Sequence, residues 1–585
     1  MRLAGLLAFS VAGALIAPLG WPLHGGPAGG LPDAASGQAF SPADPTVVAD
    51  EGSPAPGPQG PALPRVYLDT TVVTPSGRVN TVPADSRIQG GLNAMLRILR
   101  LPAGGRLQAA LDTARPGDVI ELAAGSTYVG NFMLPNKPGA QWIVIRSSAY
   151  DRLPPSSVRV SPALADLMPK IVSPNKDPAI STAAGAHHYR FIGIEVATTS
   201  PFSVNLIRLE APGGNTSSSQ VPTQIVIDRC YIHGTPTGNI RNGVLLNSAY
   251  TAVIDSYISE IHEVDSESHG ILGQNGPGPF KIANNEIQAA GINVMFTEQP
   301  RITNLVPSDI EVRGNYFTKR LSWRPGDPSY AGIPWAVKNL FELKNAARVL
   351  IDGNVFENNW VGVFQPQDGF AVAFSVAAGG PNTPWVVVKD VTFTHNIVQH
   401  SSAGIQFRGN DVNYPAQTLQ RVLIQDNLFV DIGAFPMIYN AGRLFQISDG
   451  GSNIVIDHNT AFHIEDPLYA QTHAQGYWPA TGFGFTNNII LNNQGVSGDN
   501  TSGNPMLTLT TYFPNAVFEG NIIVGGASRA YPARNFFPPS LDAVGFVNHQ
   551  QGDFRLSVSS RYKRAGTAGS DPGADVEALP ATLAR

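Results

Sequence analysis

One short motif constrains this chain more than any other feature: an apolar residue, two residues, Asn, one residue, and a second apolar residue. It reads Ile282-Ala-Asn-Asn285-Glu-Ile287, Val312-Arg-Gly-Asn315-Tyr-Phe317 and Ile351-Asp-Gly-Asn354-Val-Phe356. The corner Asn returns at Asn396, Asn427, Asn459, Asn488 and Asn521, and Cys230 and Ser256 take its place in two earlier copies. From Asn427 to Asn521 the corners are 29 to 33 residues apart; on either side of Asn354 they are 39 and 42 apart. A constant motif at variable spacing means constant strands joined by loops of variable length. Repeats of this kind build solenoids, in which each unit buries its apolar face by stacking on the next. In a coil of parallel strands equivalent positions stack at about 4.8 Å. An Asn at an inner corner then donates to one neighbouring copy and accepts from the other.

Composition agrees. The 585 residues include 60 Gly and 48 Pro, so turns are frequent and helices few. Apolar residues make up 43% and charged residues only 14%. A net charge of −6 and a pI near 6.1 argue against nucleic acid as a partner. The single cysteine, Cys230, rules out an internal disulfide and a four-cysteine zinc site.

The repeats, with the two ends of the chain, resemble the pectate-lyase-like right-handed parallel β-helix superfamily. Residues 107–122 read Leu-Gln-Ala-Ala-Leu-Asp-Thr-Ala-Arg-Pro-Gly-Asp-Val-Ile-Glu-Leu, and Asp553-Phe-Arg-Leu556 and Gly569-Ser-Asp-Pro-Gly-Ala-Asp575 follow the last coils. The resemblance implies an all-β, right-handed parallel β-helix over residues 65–577, opened by a short N-terminal capping helix and followed by a tail at 578–585. It leaves the reaction open, because this fold carries lyases, hydrolases, epimerases and binders.

The N-terminus reads as a targeting segment. Arg2 precedes an apolar run to Ile16, which is too short for a bilayer span of about 20 residues. Residues 1–20 are therefore a signal peptide or a retained N-terminal anchor, and 21–64 a Pro/Gly-rich linker. The expected location is secreted or periplasmic, with no stable membrane span after processing. A monomer is the expected state, since solenoids of this type are capped at their ends.

The longest repeats flank Asn354, and loops there are the place to look for chemistry. Between Arg301 and Arg348 eight basic residues outnumber four acids. Arg313, Arg320 and Arg324, with Trp323 and Trp335, would bind an anionic sugar chain by charge and ring stacking if exposed. In Val337–Lys344, alternation places Val337, Asn339, Phe341 and Leu343 inward and Lys338, Glu342 and Lys344 toward solvent. Just upstream, Glu263, Asp265 and Glu267 fall in an acidic run that reads as a hydrated loop or a Ca²⁺ site. A zinc site using His262 and His269 is a further reading.

The chemistry that fits is β-elimination from a uronate-containing polysaccharide. The carboxylate must be neutralised and the neighbouring carbon deprotonated. Lys338 or Lys344 would act as base beside Glu342, the three arginines would hold substrate, and Asp265 and Glu267, with Glu263, would hold Ca²⁺. The chain departs from the superfamily's known patterns: no Arg-x-Pro-x-x-Arg segment and no hydrolase-type Asn-Thr-Asp, Asp-Asp, His-Gly set is present. Two alternatives therefore stay open: a non-catalytic glycan- or matrix-binding protein, and a glycoside hydrolase with facing carboxylates.

Overall fold

A computed structural model describes residues 60–65, 71–74, 77–80, 97–297, 299–362, 369–435, 442–473 and 478–580. The segment expected as signal or anchor lies outside these residues, as does nearly all of the expected linker. Among the described residues no helix is long and apolar enough to cross a membrane.

The corner residues organise everything else. The residue before each corner is left-handed: φ is 49° at Arg229, 54° at Asp255 and Asn284, 66° at Gly353, 52° at His395 and 73° at Gly520. This sharp bend turns one strand into the next, and Gly, Asn and Asp recur there because they tolerate it. In the coil holding Asn354, strand Ala346–Asp352 precedes the bend, Val355–Asn359 follows it, and Phe370–Ser375 closes the circuit. Successive coils pair in parallel and in register, as in Val349↔Val391, Phe356↔Val398 and Val372↔Ile405.

Three long parallel sheets result, with 15, 13 and 12 strands among the described residues. The first runs from Ile98–Leu101 to Val517–Glu519, the second from Thr127–Val129 to Ile522–Val524, and the third from Phe132–Leu134 to Ser497–Gly498. The chain is a right-handed parallel β-helix. Its interior is a continuous apolar column in which Phe317 stacks on Phe356 at 4.8 Å and Phe356 on Phe393 at 5.6 Å.

The corner ladder is fully formed. Asn285 donates its backbone N–H and its amide to Asn315 Oδ1 at 2.9 and 3.0 Å. The same double bond repeats from Asn315 to Asn354 and onward to Asn521. Upstream, Ser256 donates to Asn285 and Cys230 to Ser256. Asn535, only 14 residues after Asn521, adds a rung the repeat did not announce.

A seven-residue helix, Leu107–Thr113, buries Leu107 and Leu111 against the core. Near the other end Phe546–Asn548 and Asp553–Leu556 form an antiparallel pair. One local expectation needs correcting. Strict alternation does not hold through Val337–Lys344, because the strand spans only Phe341–Leu343. Leu340 joins the main core, while Val337 packs outside it with Trp323, Trp335 and Trp360.

Candidate functional site: a groove over the third sheet

Val244, Ile271, Val294 and Phe341 stand in register on successive coils of the third sheet and point inward. Their neighbours Leu245, Leu272, Met295 and Glu342 consequently point outward, also in register. Leu245, Leu272 and Met295 form a small apolar cluster. It floors a groove of about 600 Å³.

Part of the lining is uncharged. Asn205, Asn242 and His269 occupy equivalent positions on three coils. Asn242 Nδ2 donates to Asn205 Oδ1 at 3.0 Å, and Asn242 Oδ1 lies 2.9 Å from His269 Nδ1. Gln274, Thr297 and Gln299 extend the polar lining. His269 is 7% exposed. Burial, reinforced by the Lys338 charge, lowers its pKa to about 3, so the ring is neutral.

The lining also carries the charged residues Arg241, Asp265, Glu267 and Lys344. Arg241 forms a two-pronged pair with Glu263, at 2.9 and 2.8 Å. Lys338 Nζ sits 3.1 Å from Glu267 and 3.0 Å from Glu342. Burial works to lower the Lys338 pKa, but the two carboxylates outweigh it and hold it above the usual lysine value. Lys338 and Glu342 therefore do not face solvent as expected; Glu342 is 3% exposed. The reason is tertiary, because Glu267 arrives from another coil and encloses the pair. Lys344 is only half-buried and has no ion-pair partner among the described residues.

The remaining candidates lie elsewhere. Arg313 leaves the first sheet to pair with Glu311 and Asp352, each at 2.8 Å. Arg320 pairs with Glu260 and donates to Gln288 at 2.7 Å. Arg324 lies 3.8 Å from Asp327 and over the Phe435 ring. Trp323 and Trp335 are each 3% exposed and pack on His262, so neither offers a face to a sugar. This corrects the expected basic-aromatic binding surface: the loop folds its rings inward.

The carboxylates expected to hold Ca²⁺ do not fit an ion as placed. Glu263 is taken by Arg241 and Glu267 by Lys338. Asp265 is exposed, and no metal-holding group of three or more His, Cys, Asp or Glu side chains forms among the described residues. His262 and His269 likewise go separate ways: His262 lies on Glu260 and Trp335, His269 on Asn242.

Sequence reasoning missed Asn205, Asn242, Arg241 and Lys319. The first two were findable by aligning third-sheet strands coil by coil. Lys319 carried no such signal. It is fully buried, which pushes its pKa down, and its Nζ lies 2.8 to 3.2 Å from the carbonyl oxygens of Ala289, Ala290, Gly291 and Asn339. It thereby ties the backbone beside Lys338 to the preceding coil.

No protein-family profile matches the sequence, and no curated protein matches it. Among solved structures the chain is similar to the PL6 family alginate lyase AlyGC, at 11% identity and a TM-score of 0.42, over 83% of this chain and 59% of that one. It is similar to a GH87 alpha-1,3-glucanase from Streptomyces thermodiastaticus, at 13% identity and a TM-score of 0.42, over 77% of this chain and 68% of that one. A third is pectate lyase Pel9A, at 12% identity and a TM-score of 0.33, over 83% of this chain and 97% of that one. The chain spans 59% of the length of the first of these.

Proposed function

We propose that this protein binds a uronate-containing polysaccharide in the groove over the third sheet and cleaves it by β-elimination, with Lys344 as the base. One observation carries the reading. Of the six cations that the sequence nominated or the groove contains (Lys338, Arg241, Arg313, Arg320, Arg324 and Lys344), Lys344 alone has no carboxylate partner among the described residues. Lys338 is ill suited to accept a proton, since two carboxylates keep it charged.

The lining supports a sugar ligand. Leu245, Leu272 and Met295 suit the C–H face of a pyranose, and the Asn, Gln and Thr side chains suit its hydroxyls. A charged Lys338 and Arg241 stand beside the site to offset a substrate carboxylate. In the reaction Lys344, as the neutral amine, takes at Nζ the proton beside the carboxylate, a C=C bond forms, the 4-linked sugar leaves with the C–O electron pair, and water protonates the departing oxygen.

The product's new C=C bond absorbs in the ultraviolet. Purified protein mixed with alginate, polygalacturonate or glycosaminoglycans, with and without Ca²⁺, should raise the absorbance with at least one of them. Retained binding with no rise on any uronan would replace the lyase by a glycan-binding protein.

A further inference from the structure

We infer that Nε2 of His269 is the groove's neutral hydrogen-bond acceptor and takes a hydroxyl hydrogen of the bound sugar; this rests on the glycan reading of the groove. With the Asn205 and Asn242 amides oriented as in the structure, the chain of bonds behind the ring puts the proton on Nδ1. Asn242 Nδ2 is spent on Asn205 Oδ1, so the atom facing His269 Nδ1 is the Asn242 carbonyl oxygen. An amide oxygen only accepts, so Nδ1 must carry the hydrogen. Nε2 is left with its lone pair.

That lone pair has no partner within the protein among the described residues, although the atom is buried and the residue lines the groove. A buried acceptor without a donor is costly, and the cost is recovered when a ligand brings one. The charged groups around the ring are Lys338, Lys344, Arg241 and Glu342, with Asp265 and Glu267 in the same groove. Cations outside and burial within both oppose a second proton on the imidazole, so it stays an acceptor. A substrate carboxylate has no hydrogen to give it at neutral pH; a sugar hydroxyl has. His269 is thus a binding residue that reads a hydroxyl, beside the charged residues that read a carboxylate.

The test uses full-length protein labelled with ¹⁵N-histidine, with His269 assigned by its loss in His269→Gln. Without ligand, Nδ1 should appear protonated and Nε2 bare from pH 6 to 8. Alginate or polygalacturonate oligosaccharides should then move the Nε2 resonance. Calorimetry on the same oligosaccharides should show His269→Leu weakening binding about tenfold, the scale of one lost hydrogen bond. His269→Gln, which keeps an acceptor, should restore most of it. A protonated Nε2, or binding that leaves Nε2 unmoved, overturns this inference and leaves the proposed function standing. Absence of binding by every oligosaccharide overturns both. Binding that moves Nε2 without any absorbance rise sinks the lyase reaction alone.

Discussion

The Lys338 ammonium lies 3.0 Å from Glu342 Oε2, and the pair is enclosed where strand alternation alone would have left both side chains in water. Glu342→Gln leaves Lys338 with Glu267 alone, at 3.1 Å, and should lower unfolding stability by about 2 kcal/mol in urea denaturation, the scale of one lost charge-assisted hydrogen bond. Replacing both partners with apolar residues, Lys338→Met with Glu342→Leu, should cost less than either single change. The pH sign follows from Lys338, whose folded pKa is raised. Its stabilisation is complete below the unfolded lysine value of about 10.4 and is lost as pH climbs through the higher folded value. A stability profile in which Glu342→Gln matches the parent at neutral pH would refute this account.

Lys344 should matter for reaction and little for folding. Lys344→Met should cut the rate of absorbance rise on a responsive uronan by about 10²–10⁴-fold, the usual contribution of a proton-transferring side chain. Its melting behaviour should stay within about 0.5 kcal/mol of the parent, since a half-buried lysine with no ion-pair partner among the described residues has little to lose. Activity that survives the substitution would assign the base elsewhere.

The corner ladder should be least tolerant in its middle. Asn396→Ala removes the acceptor of the Asn354 backbone N–H and the donor to the Ile351 carbonyl, both buried. The expected loss is about 3 kcal/mol, from two buried groups left unsatisfied. Asn535→Ala at the last rung should cost about 1 kcal/mol, because Asn535 is half-buried and water reaches that end. Equal losses at the two positions would contradict a cooperative interior ladder.

His395 should give the protein an acid-side stability term. Its Nδ1 lies 2.9 Å from Asp352 Oδ1, and that hydrogen bond, against partial burial, raises its pKa above 6.5; Asp426 and Asp575 add to the pull. A raised histidine stabilises below its unfolded value of about 6.5 and loses that contribution as pH rises through the folded value. Thermal melts should therefore show a decline on the alkaline side of pH 6.5 that is flattened in His395→Gln. An unchanged profile in the variant would remove His395 as its source.

The site was less legible than the coil, and individual residues show why. Lys338 and Lys344 lie six positions apart and share one face by alternation, so the sequence treats them alike. They differ because Glu267, over seventy residues upstream, meets only the first. Trp323 and Trp335 looked like sugar platforms because loops with cations and rings commonly are. Their burial depends on Trp360 and Ala290 from other turns of the chain.

Sequence alone determined the coil. An Asn corner flanked by apolar residues acts within a few positions, and stacking identical corners satisfies each amide by its own copies, so local pattern and global fold say the same thing. The parallel pairing and the inner apolar column follow from it. Tertiary structure decided the groove: which cations are neutralised, which rings are hidden, and which imidazole nitrogen is left bare. Those outcomes depend on side chains brought together from separate coils, where the energy of one charge or lone pair is set by neighbours that no short stretch of sequence contains.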